Sequence, residues 1–161
     1  MFRFRSAHGR GALERGDRRL LRDFDRGRLP PGGFGHREHV RVAWSYLSLH
    51  PPARAIELFV AALRRFARAR NRPELYHETV TWAFLLLIRE RMARGPAGEG
   101  FEAFAARNPD LFARSPSILS RYYEPRTLAS DLARRVFLLP DRDRERAAGT
   151  DGLLTQDAPA T

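Results

Sequence analysis

Apolar residues recur along most of this chain at three- and four-residue intervals, and no segment sustains an alternation of apolar and polar positions. The pattern predicts an all-α protein. Leu13, Leu20, Leu21 and Phe24 form the apolar stripe of a first helix over Ala12 to Arg26. "GRLPPGGFG" ends it, because consecutive prolines and glycines cannot continue a helix. A second helix, His36 to Leu49, turns Val40, Ala43, Trp44 and Leu47 inward. "HPP" stops it, and a third helix over Ala53 to Arg70 buries Ile56, Phe59, Val60, Leu63 and Phe66. Its other face carries Arg54, Arg64, Arg65, Arg68 and Arg70.

The stretch Trp82 to Ile88 is apolar on every side. It predicts that a helix over about residues 73–94 sits at the centre of a single compact helical bundle. Asn71 is the expected N-cap, Pro73 falls in the first turn, and Arg89, Arg91 and Arg94 crowd the end before Gly95. Shorter helices are expected at Phe101–Asn108, Pro109–Arg114, Pro116–Tyr123 and Asp131–Val136. The domain so defined covers residues 11–140, between a flexible N-terminus at 1–10 and a polar, disordered tail at 141–161.

Composition narrows the chemistry. The 161 residues include no cysteine, which removes thiolate catalysis, zinc–thiolate sites, iron–sulfur clusters and disulfides. The longest apolar run is far shorter than the roughly 20 residues a membrane helix needs, and the basic N-terminus lacks the apolar core of a secretory signal. A cytoplasmic location is the expectation. The formal net charge is +10, yet every basic residue is arginine and they are spread along the whole chain. A GC-rich coding bias explains that as well as phosphate binding does.

Candidate chemistry rests on histidines. On a helix, His36 and His39 lie three apart, with Cβ atoms roughly 5–6 Å from each other, so both rings can reach one metal ion. His77 begins the apolar helix, where a buried imidazole must find partners. If the two helix starts share one end of the bundle, three imidazoles converge around one divalent transition metal: zinc, iron, copper or manganese. The plainer reading makes His36 and His39 polar first-turn residues and gives His77 a hydrogen bond to a nearby backbone carbonyl. His8 falls in the flexible start, and His50 closes the second helix. Glu38 and Glu78 follow their histidines and are the candidates for orienting an imidazole or acting as general base. Both equally suit the first turn of a helix through its dipole. Glu74 and His77 make only one Glu-x-x-His step, too few for a di-iron bundle. No phosphate-binding glycine loop with lysine, G-x-S-x-G or H-E-x-x-H occurs. Tyr122 and Tyr123 are expected to pack rather than react.

Four segments together resemble those of a group of small bacterial all-helical proteins: "F-x-H-R-E-H-V-x-x-A-W-x-Y-L" at Phe34–Leu47, "Y-H-E-T-x-T-x-A" at Tyr76–Ala83, "N-P-D-L" at Asn108–Leu111 and "F-L-L-P-D" at Phe137–Asp141. The resemblance covers about residues 20–141 and carries no reaction with it. It implies that His36, His39 and His77 form one shared site, with Glu78 and Thr79 or Thr81 beside it.

The expectation is therefore a small metalloenzyme acting on a small-molecule substrate, by metal-activated water or by redox chemistry. Its rivals are an arginine-rich module for nucleic acid or an acidic partner, and a helical scaffold whose histidines are structural. Oligomeric state stays open, a homodimer included.

Overall fold

The computed structural model describes residues 13–30 and 32–142. The calls on residues 1–10, His8 included, and on most of the tail lie outside them. Among the described residues every regular element is helical. Four longer helices are α1 (Arg15–Asp25), α2 (His36–Leu49), α3 (Pro52–Ala69) and α4 (Glu78–Arg94). Three short ones follow: α5 (Phe101–Arg107), α6 (Pro125–Leu128) and α7 (Asp131–Arg135). Single 3₁₀ turns stand at Pro73–Leu75, Pro109–Phe112 and Ile118–Arg121. The all-α architecture is thus that expected from the apolar spacing, and α6 is the helix the spacing did not reveal. No helix among the described residues is long and apolar enough to cross a membrane.

The centre of the bundle is not where the hydrophobic run suggested. α2 packs against α1, α3, α4 and the Pro109–Phe112 turn, and Val42 through Ser48 are buried without a break. α4 keeps a solvent-facing edge, with Leu86 45% exposed. Two serines hid the burial of α2. The Ser45 hydroxyl donates to the Arg41 carbonyl (2.8 Å) and Ser48 to the Trp44 carbonyl (2.9 Å), so both enter the core with their polarity satisfied.

Two groups of aromatic side chains pack against α2. Phe24, Phe34, Phe59 and Phe66 stack between α1, α2 and α3, with ring centroids 4.8–6.2 Å apart. In the second group, Trp44 meets Phe101 at 5.6 Å and Phe104 at 6.5 Å. Such offset and edge-on pairs add to the stabilisation from burial.

The start of α4 also departs from expectation. Asn71 does not cap it; its φ of 53° places it in the left-handed region, which asparagine tolerates better than most residues. After the Pro73–Leu75 turn, Tyr76 and His77 are extended, and His77 is the N-cap. At the other end, Asp141 and Arg142 do not belong to a free tail. Both backbone N–H groups donate to the Tyr122 carbonyl, and the Asp141 carboxylate accepts from the Glu124 N–H (2.9 Å) and the Thr127 hydroxyl. Tyr123 packs in the core as expected and donates its hydroxyl to the Leu138 carbonyl (2.9 Å).

Candidate functional site

One cavity of about 440 Å³ opens between α2, α3 and α4. Phe34, Val40 and Ala43 wall it on one side, Phe59, Leu63 and Phe66 on a second, and Val80, Phe84, Leu85 and Ile88 on a third. His36, His39 and His77 all line it, as do Thr81, Tyr76, Arg70 and Arg114. The turn at Gly35 starts α2 at the cavity, and the extended Tyr76–His77 pair starts α4 there. The two helix starts therefore do share one end of the bundle.

Hydrogen bonds fix what each imidazole offers. A carbonyl oxygen only accepts, so each ring nitrogen facing one carries the proton. His36 donates from Nε2 to the Leu111 carbonyl (2.8 Å), which leaves Nδ1 as a lone pair in the neutral ring. His39 donates from Nδ1 to the Gly35 carbonyl (2.9 Å), which leaves Nε2. His77 keeps neither nitrogen free. Its Nε2 donates to the Leu128 carbonyl (2.9 Å), while Nδ1 accepts the Val80 N–H (3.3 Å) and caps α4. Ligation through His77 would therefore break one of these bonds. Among the described residues, no three His, Asp or Glu side chains are grouped so as to hold a metal ion.

Neither candidate base lines the cavity. Glu38 Oε2 accepts the Gly35 N–H (2.9 Å) at the first turn of α2. Glu78 is engaged on both oxygens: Oε2 accepts from Arg64 (2.7 Å) and the Tyr76 hydroxyl (2.6 Å), and Oε1 from the Trp82 indole (2.8 Å). The Arg64 guanidinium also lies over the Tyr76 ring at 4.7 Å. A carboxylate with three donors holds the α3–α4 corner together. Thr79 is likewise structural. Its buried hydroxyl donates to the Val136 carbonyl (2.7 Å) and accepts the Leu138 N–H (3.1 Å), pinning the segment after α7 to α4.

The arginines of α3 do not stand as one unpaired face. Arg54 pairs with Glu57, Arg64 with Glu78, and Arg70 donates to the Leu29 and Pro30 carbonyls while lying 4.1 Å over the Phe66 ring. Arg114 went unnoticed in the sequence, because nothing local marks it. It comes to the cavity through the loop after the Pro109–Phe112 turn.

His39 gives the site a pH dependence. Burial is the largest influence on it and holds its pKa below the ordinary 6.5, with the charges of His36 and Arg114 acting in the same direction. The Gly35 carbonyl and Glu38 oppose this without reversing it. The folded state therefore takes up a proton less readily than the unfolded chain. Stability from this group is complete above pH 6.5 and is lost as the pH falls from 6.5 toward the lower folded value. In denaturant titrations between pH 8 and pH 5, wild type should lose more stability than His39→Gln. Parallel curves would rule out His39 as the cause.

No family model, no curated protein and no solved structure matches this chain.

Proposed function

We propose that the chain binds a small, mainly apolar molecule in the cavity between α2, α3 and α4. The cavity itself supports this reading: about 440 Å³, walled chiefly by aliphatic and phenyl side chains, with a few imidazoles and guanidinium groups among them. Small-molecule sites usually fall at roughly 300–1,000 Å³ and combine an apolar wall with a few orienting polar groups.

The test is a thermal-unfolding titration with decan-1-ol. A ligand that binds only the folded state stabilises it by about 2.7 kcal/mol at a hundred times its Kd. The melting temperature should rise with decan-1-ol in wild type. It should stay flat in Val80→Trp, where the larger ring occupies the space. No rise in wild type, or an equal rise in both proteins, would overturn the reading.

A metal-dependent function is the second reading, and the tautomers of His36 and His39 favour it. A metal-bound imidazole commonly donates its other N–H to a backbone carbonyl, which is what both rings do. His36 Nδ1 and His39 Nε2 would hold the ion, which would supply Lewis-acid or redox chemistry when bound. Elemental analysis of untagged protein checks it. Near-stoichiometric metal, lost in a folded His36→Ala/His39→Ala variant, would support this reading, and metal retained by that variant would end it.

A further inference from the structure

The cavity wall is one-sided in charge. Among the described residues it carries two arginines and three histidines, and no aspartate or glutamate. Arg70 is already committed to two backbone carbonyls and the Phe66 ring. Arg114 is not. It is solvent-exposed, and among the described residues no carboxylate lies within ion-pair distance of it. Its Nη2 comes so near the Gly35 backbone that a Cβ there would lie 3.6 Å away, and its charge is felt at His39. The carboxylate of Glu38 also approaches Gly35, but its Oε2 is held by the Gly35 N–H. The guanidinium thus stands at the edge of an apolar space with no anion of its own.

From this juxtaposition, and resting on the ligand-binding reading above, we infer that the cavity takes an amphiphilic monocarboxylate, its apolar chain inside and its carboxylate on Arg114. A planar guanidinium matches a carboxylate through two parallel N–H···O bonds. At about 30 Å³ per water-sized unit, 440 Å³ accommodates roughly 15 such units. A straight-chain acid of about a dozen non-hydrogen atoms fits that space. The chain would lie against Phe59, Phe66, Phe84 and Leu85. Neutral imidazoles offer the carboxylate only lone pairs at His36 Nδ1 and His39 Nε2, so the permanently charged arginine carries the recognition.

Matched probes separate this inference from the reading beneath it. Decanoate and decan-1-ol, both below their aggregation limits, are titrated calorimetrically into the full chain at pH 8. Decanoate should bind wild type about three- to fivefold more tightly, as an ion pair with a solvent-exposed guanidinium predicts. In Arg114→Gln the preference for decanoate over decan-1-ol should be lost. If neither probe binds wild type, the cavity is not a ligand site and both readings fall. If decan-1-ol binds and decanoate binds no better, the cavity reading stands and the carboxylate is wrong. A preference for decanoate that survives in Arg114→Gln would equally overturn the assignment to Arg114.

Discussion

Trp44→Ala should lower the unfolding free energy by about 3–5 kcal/mol, the range for deleting a large aromatic side chain from a packed core. Trp44 is 1% exposed, on the helix at the centre of the bundle. Its ring meets Phe101 and Phe104, which hold α5 against α2. Truncation leaves a hole between two helices that have few ways to close it. α5 has only seven residues and is anchored largely by those two phenylalanines. The cavity wall is built from Val40 and Ala43, on a neighbouring face of the same helix. Below its new melting temperature the variant should therefore still bind decan-1-ol. Chemical denaturation measures the loss, and a cost under about 1 kcal/mol would mean that the site collapses and α5 is loosely held.

Asp17→Ala should cost about 3 kcal/mol, although the residue lies on a peripheral helix. Its carboxylate is fully buried. It accepts the Glu14 N–H (2.8 Å) at the start of α1 and the Arg41 Nε (2.6 Å) from α2. Arg41 is itself largely covered and lies 4.9 Å over the Phe101 ring. Removing the aspartate frays the first turn of α1 and leaves a guanidinium in a partly desolvated place without its main counter-charge. Arg41 can still lean on Glu102, 3.4 Å away, which keeps the loss near the lower end for a broken buried pair. A double-mutant cycle with Arg41→Ala separates the pair from the cap. A coupling above about 1 kcal/mol assigns the loss to the ion pair, and one near zero assigns it to the helix start.

Neither residue of that pair was visible as a pair in the sequence. Asp17 and Arg41 are 24 positions apart, and each passes for a surface charge in an arginine-rich chain. Glu78 shows the same blindness in reverse. Beside His77 it invited a catalytic role, yet it is taken up by Arg64, Tyr76 and Trp82, a set that only the docking of α3 against α4 brings together. The 3.6-residue spacing, by contrast, placed α2 and α3 within one residue of their observed limits, because prolines and a glycine-rich loop punctuate them locally.

By itself the sequence determined that the chain is helical, where its long helices run, and that His36 and His39 lie on one turn. These follow from residues within a few positions of each other, through the helix repeat and its capping rules. The tertiary structure alone decided that α2 and not α4 lies at the centre, that three histidines and Arg114 meet at one cavity, and which nitrogens of His36 and His77 carry the proton. Those nitrogens are assigned by carbonyls at Leu111 and Leu128, 75 and 51 residues away from the rings they hold. A proton's place on an imidazole depends on the acceptor it faces, and for His36 and His77 that acceptor arrives only when distant segments pack.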